Sequence, residues 1–145
     1  MNEEKKSDIE NKQLLNEAKS LLQDKILVFL ATLMPDGSPQ ITPTWVDVDE
    51  EKNSIIINTA KGRVKQKNVT RDPRVAVAII DRNNPYKVAL IRGRVMEQTT
   101  EGGDAHIDKM VKKYLRAEKY PFRNSSEKRV LLKIKPEKLF EIKPQ

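Results

Sequence analysis

Residues 58–74 read NTAKGRVKQKNVTRDPR, and this stretch decides how the rest of the chain is read. It leaves an apolar strand, Ser54 to Thr59, and turns about Gly62. Along the turn and beyond it lie Lys61, Arg63, Lys65, Lys67, Arg71 and Arg74, with Asp72 as the one acid. The segment therefore carries a net charge of +5, against +7 for the whole chain. A glycine turn at a strand end, with polar Thr59 beside it and alternating cations, suits a phosphate. Backbone N–H groups point inward there and the side chains add charge-assisted bonds. The same spacing also fits a solvated basic turn, and spacing alone does not separate the two.

Outward from this segment the chain reads as short strands joined by turns. Ile26 to Met34 (ILVFLATLM) is a strand by its apolar and β-branched content, and Pro35-Asp36-Gly37-Ser38 is a turn. Gln40 to Val48 follows as the hairpin partner, with Pro43 inside it arguing for an edge position or a bulge. Asp49 to Asn53 turns the chain into Ser54–Thr59. Lys61 to Thr70 reads as a short helix closed by Asp72-Pro73. Val75 to Asp81 and Lys87 to Glu97 are two further strands about Asn83-Asn84-Pro85. Gly102 to Glu118 is a helix with Ile107, Met110, Val111, Tyr114 and Leu115 on one stripe. Val130 to Ile134 and Leu139 to Ile142 close the chain as two strands around Pro136.

At the other end, residues 1–8 read as a flexible N-terminus and 9–145 as one domain. Ser7 with Glu10 three positions on fits a capping box. Leu14, Leu15, Ala18, Leu21 and Leu22 then recur at helical spacing to about Gln23. Tight turns between seven strands predict a mainly β, antiparallel sheet curled into a barrel with peripheral helices. The strands at 26–34 and 75–80 are apolar nearly throughout. A strand with one wet face alternates, so both faces should be covered, and a homodimer is expected.

Composition narrows the chemistry. The 145 residues include no cysteine, which excludes disulfides, thiolate catalysis and Cys-ligated metals. No apolar run approaches the roughly 20 residues of a membrane span. The first dozen residues lack an apolar signal region, so a cytoplasmic protein is expected, with no membrane partner. His106, the sole histidine, cannot build a two-histidine metal site and reads as structural or solvent-facing. No Ser-His-Asp pattern and no GxGxxG or GxxxxGK[ST] motif is present. No residue is assigned a catalytic or metal-binding role, and any hard chemistry must belong to a bound cofactor. Thr42 and Thr44 share a strand face, Pro43 lacks an N–H, and Trp45 is the only tryptophan. Together they offer a wall for such a cofactor, although strand propensity and core packing explain the same residues. A small nucleic-acid-binding barrel is the rival from charge alone. Aromatics are 5% of the chain and none is interleaved with the cations of 61–74, so no specific nucleic-acid partner is expected.

Four pieces of the chain then carry a resemblance. They are DGSPQITPTW, INTAKGRVKQKNVTRDPRVAV, the DRNNPY turn with IRGRV after it, and DAHIDKMVKKYL followed by YPFR. In this order and spacing they resemble the pyridoxamine 5′-phosphate oxidase-like split β-barrel superfamily. Within it they look like the small proteins that bind the deazaflavin coenzyme F420, or FMN. The resemblance implies a split-barrel homodimer with cofactor sites at the subunit interface. The ring would lie along Thr42, Pro43, Thr44 and Trp45. The phosphate would sit on Thr59, Ala60, Lys61, Arg63 and Lys65, with Lys67 and Asn68 nearby. It also implies an oxidoreductase that passes a hydride between the cofactor and a small organic molecule, or a carrier that only binds the cofactor. Two motifs depart from the vitamin B6 oxidases: Thr42 stands where those enzymes begin the ring-binding strand with arginine, and KIKPEKLFEIKPQ has no counterpart of their substrate-binding arginine motif. Oxidation of pyridoxamine phosphate is therefore not the expected activity. The NNPY turn and the IRGRV strand resemble the F420 branch, with FMN as the alternative.

Overall fold

The computed structural model describes residues 2–8 and 11–144. Eight strands and three helices follow in the order β1 (Asn2–Asp8), α1 (Asn11–Leu22), β2 (Val28–Leu33), β3 (Pro39–Thr44), β4 (Asp47–Asp49), β5 (Ser54–Ala60), α2 (Val64–Arg71), β6 (Arg74–Ile80), β7 (Val88–Thr99), α3 (Gly103–Leu115) and β8 (Arg129–Pro144). One antiparallel sheet runs β3-β2-β6-β7-β8-β5-β4, with β1 paired to the far half of β8. This is the antiparallel barrel expected from the turns, in the split form that the resemblance implies.

Strand β8 is the spine. It lies along β7 for most of its length on one side. On the other side β5 takes residues 129–134 and β1 takes 138–144. Two closing strands about Pro136 were expected, and the structure has one. Pro136 falls where the second side passes from β5 to β1, so its missing N–H leaves no ladder bond unmade there. Opposite β7 the register shifts at Arg92/Gly93, which pair with Lys138 and Pro136, and the extra residue is absorbed as a bulge.

Three further readings are refined. The strand expected over 40–48 is broken at Trp45-Val46. Tyr114 of α3 reaches into the break: its hydroxyl donates to the Ile26 carbonyl at 2.7 Å and accepts from the Val46 N–H at 3.1 Å. Lys113 adds a bond to the Val46 carbonyl. Backbone groups that a continuous strand would have paired are satisfied from the helix instead. Ser7, read as an N-cap, lies in β1, while Glu10 lies outside the described residues. Pro43 sits on β3, an edge strand, as its missing donor requires.

The core is formed by the inner sheet face and the helices. Ala18, Leu21 and Leu22 of α1 join Val28, Leu30, Ile55, Ile57, Val77, Ile79, Leu132 and Ile134 in one cluster. The expectation of a covered outer face on β2 and β6 meets a different arrangement within one chain. Both strands alternate, with Val28, Leu30, Val75, Val77 and Ile79 buried, and Phe29, Ala31, Ala76 and Ala78 only half-buried. The outer residues border a shallow apolar hollow of about 360 Å³ with Ile41 and Phe140. Ile41 is 63% exposed there.

Candidate functional site

A cleft of about 390 Å³ opens between the β3–β4 break, the start of α2, helix α3 and the 116–128 loop. Its wall contains Thr42, Pro43, Thr44 and Trp45 from β3 and the break, with Arg63 and Lys65 from the basic segment. The sequence reading thus places six of its eleven site residues in one cavity. Asn58 of β5, Tyr120 and Phe122 of the loop, and Arg129 of β8 complete the polar and aromatic lining.

The other five lie outside that lining. Thr59 and Ala60 are fully buried on β5, and the Thr59 hydroxyl has no hydrogen-bond partner. Lys61 and Lys67 are exposed. Asn68 is 2% exposed and its amide donates to Thr32 Oγ1 at 2.9 Å, which ties α2 to β2.

Local sequence explains the shape. Gly62 has φ of +93°, a backbone state that a side chain would strain, and it turns the chain from β5 into α2. Its N–H donates to Gln66 Oε1 at 2.9 Å. Trp45 stacks on Tyr114 with ring centroids 5.0 Å apart and planes within 8°, so α3 fixes the indole at the cleft wall. Gly103 opens α3 where an added Cβ would come within 2.9 Å of the Arg129 Cβ, so only glycine allows this approach. The approach places the Gly103 carbonyl on the Asn58 amide.

Behind the wall runs a chain of four polar side chains. Arg129 Nε donates to Asn58 Oδ1 at 2.9 Å, and Asn58 Nδ2 donates to the Gly103 carbonyl at 2.9 Å. Those two bonds fix the orientation of the amide. Its remaining N–H points to His106 Nδ1 at 3.0 Å, so Nδ1 accepts and Nε2 carries the hydrogen toward Asp47 Oδ2 at 2.9 Å. Lys109 donates to the same carboxylate oxygen at 3.1 Å. Burial pushes the Asp47 carboxyl up, but the bonds from His106, the Val48 N–H and Lys109 outweigh it and hold it well below the usual carboxylate range. His106 is therefore a structural link, and it bonds Asp47 across the sheet rather than its helix neighbours. Asp108 is occupied by the Tyr120 N–H and Arg123.

Three cations converge on the cleft. Arg63 is bonded to Glu127 at 2.8 Å. Lys65 is half-buried, and burial first, then Arg63 and Arg129, lower its affinity for a proton. Burial likewise pushes the Arg129 guanidinium below its usual value; Tyr120 opposes the shift and Arg63 adds to it. Arg129 is the residue that sequence reasoning missed. It lies 71 positions from Asn58 in the chain, and only the pairing of Ala60 with Arg129 across β5 and β8 brings it to the cleft.

The pyridoxamine 5′-phosphate oxidase family model matches this sequence over residues 14–143. The chain belongs to the pyridoxamine 5′-phosphate oxidase family. Among solved structures, an F420 reductase shares 28% identity and a TM-score of 0.72, covering 83% of this chain and 94% of its own. HupZ of Group A Streptococcus shares 24% identity and a TM-score of 0.60, covering 87% of this chain and 91% of its own. A NimC/NimA family protein from Clostridium acetobutylicum shares 16% identity with a TM-score of 0.60, over 84% of this chain and 80% of its own. At that identity the last two show the shared fold alone. Among the described residues no helix is long and apolar enough to cross a membrane.

Proposed function

We propose that the cleft binds the deazaflavin coenzyme F420 through its ring and phosphate, and that the protein uses it for hydride transfer with a small organic molecule. One observation carries this reading: a single cavity joins the Thr42–Trp45 wall to Arg63, Lys65 and Arg129. The wall offers two hydroxyls, an edge strand interrupted by Pro43 and an aromatic ring, which suits a flat heterocycle. The cations suit a phosphate, since charge-assisted bonds in a half-buried site are strong. The residues present fit such a group, because a buried guanidinium nitrogen on Arg129 has no partner of its own. Thr42, Pro43, Thr44 and Trp45 would orient the ring, and Arg63 and Lys65 would hold the phosphate at the start of α2, where backbone N–H groups and the helix dipole favour an anion. The cofactor supplies the redox chemistry when bound, and the protein supplies position and exclusion of water. Thr59, Ala60, Lys61, Lys67 and Asn68 would act from the surrounding β5–α2 shell or toward a second subunit.

The preference for F420 over FMN draws support from the F420 reductase relative and from the NNPY and IRGRV segments. FMN has the same ribityl phosphate and is the second reading. The chain is further proposed to pair with a second copy of itself through the apolar hollow of Phe29, Ala31, Ile41, Ala76, Ala78 and Phe140. Such a face is too apolar to leave to water along two adjacent strands. A monomeric mass by light scattering at micromolar concentration would remove the dimer.

Titration of the purified protein with F420 and with FMN, followed by absorbance and fluorescence, tests the cofactor. Tight binding of F420 with weak binding of FMN is expected. The reverse preference would move the protein to the flavin-binding branch. Binding of neither would sink the cofactor reading. Turnover of unsaturated ketones, quinones and tetrapyrroles with the reduced cofactor then separates an enzyme from a carrier.

A further inference from the structure

We propose that Arg129 is the buried receptor for the phosphate of the cofactor, and that Asn58 is the residue that positions it. This rests on the cofactor-binding reading given above and assigns the phosphate a residue outside the basic segment. Arg129 is only 7% exposed, and its Nη1 is buried without a hydrogen-bond partner. Its Nε is bonded to Asn58 Oδ1 at 2.9 Å, which is a neutral acceptor. The acids near it are engaged elsewhere: Glu127 pairs with Arg63 at 2.8 Å and Asp104 with Arg123 at 3.3 Å. The Tyr120 ring lies under the guanidinium at 5.4 Å from its carbon, which offsets part of the burial but supplies no negative charge. A cation held in a protein interior without an anion is destabilising. Glu127 and Asp104 favour its charge through space, but among the described residues no carboxylate is bonded to Arg129, and that place is open to an anion from outside the chain.

The surroundings say which anion. Arg129 shares the cleft with Arg63 and Lys65, and burial first, then the repulsion of the two guanidinium groups, lowers the proton affinity of Lys65. A group with several oxygens and more than one negative charge can satisfy three such donors together, as a phosphate monoester does. Arg63 is already held by Glu127, so the ligand has Lys65 and Arg129 to satisfy first. The Asp47–His106–Asn58 chain then has a clear role. It holds Asn58 with its oxygen toward Arg129 Nε, which fixes the guanidinium at the wall of the cleft.

The test compares each cofactor with its phosphate-free counterpart: FMN with riboflavin, and F420 with the deazaflavin lacking phosphate and tail. Wild type should prefer the phosphorylated form. Arg129→Met should lower affinity for FMN or F420 by about 10–100-fold and leave the phosphate-free form within about twofold. Its melting temperature without ligand should stay level or rise, because a buried unpaired charge has been removed. Arg129→Lys should recover part of the loss, and Arg129→Gln, which also removes the charge, carries the test if the methionine variant does not fold. Asn58→Ala should reduce the preference by a smaller factor, again without changing riboflavin affinity. A merely structural role would weaken both members of each pair equally. An unchanged FMN-to-riboflavin ratio in Arg129→Met, or in Arg129→Gln if the methionine variant does not fold, in a protein that still binds FMN, would overturn the proposal alone. Failure of wild type to bind either FMN or F420 would instead overturn the cofactor reading, and this proposal with it.

Discussion

The cations at the front of the molecule and those at its back come partly from the same basic segment, yet they are held in opposite ways. At the back, Arg71 donates to the Leu33 carbonyl and to Asn68 Oδ1, both at 2.8 Å. Arg74 pairs with Asp72 through two nitrogens, at 3.0 and 2.7 Å. These side chains fasten α2 to β2 and close the turn into β6. At the front, Lys65 and Arg129 are half-buried or buried, and among the described residues neither has an ion pair with a carboxylate within 4.0 Å. Arg63 has a partner, Glu127, but stands at the cleft. Charge alone did not distinguish these groups. What separates them is how completely the fold has supplied each cation with an acceptor: Arg71 and Arg74 are bonded in place, whereas Lys65 and Arg129 line the cleft with no carboxylate of the described residues bonded to them.

The comparison can be broken by substitution. The largest effect is expected at the front: Arg63→Ala should weaken binding of F420 or FMN by about 1.5–3 kcal/mol, roughly 10–100-fold in Kd by calorimetry. Its melting temperature should hardly move, since the Glu127 pair is largely solvated. Asp47→Asn comes next, because it loosens the chain that supports Arg129. A stability loss of about 1–2 kcal/mol is expected at pH 7 in urea unfolding. Asp47 has a folded-state value below its unfolded one, so its contribution is complete above the ordinary carboxylate range and fades as pH falls through and below it. The wild-type and Asp47→Asn stabilities should therefore converge in acid. If their difference stays constant from pH 7 down to pH 3, the ionised Asp47 does not support the network.

At the back, Arg71→Ala should cost about 1 kcal/mol of stability through its two bonds and leave cofactor affinity unchanged. Loss of affinity there would erase the distinction between the two sets. The smallest effect belongs to Arg74→Ala. Its ion pair with Asp72 is on the surface, where such pairs contribute little, so neither melting temperature nor affinity should shift measurably.

How far the sequence carried these conclusions depended on the distance over which each feature is decided. The hairpin at Asp36-Gly37, the basic turn at Gly62 and the α3 stripe are local signals, and the structure follows them, with Ile107, Met110 and Val111 buried and Leu115 left exposed at the helix end. The break at Trp45-Val46 was hidden because its cause, Tyr114, arrives from a helix nearly 70 residues away. Pro136 looked like a strand end, but it is accommodated by a bulge opposite Gly93 and by the exchange of β5 for β1 beside β8. The cleft wall at 42–45 was legible because it is contiguous in sequence. Arg129 was not, since Glu127-Lys128-Arg129 reads as an ordinary charged loop before a strand. Only the strand register and the glycine approach at Gly103 turn its side chain into part of the cleft. His106 reads from sequence as structural or solvent-facing, and its bonds to Asp47 and Asn58 select the first and give it a definite task.

The most direct measurement is a crystal structure of the protein grown with F420, or with FMN if that binds more tightly. The expected result places the phosphate within hydrogen-bond distance of Arg63, Lys65 and Arg129, with the ring along Thr42 to Trp45. A phosphate seated on Arg71 or Arg74, or a ring lying in the hollow of Phe29 and Ile41, would contradict the assignment of the cleft.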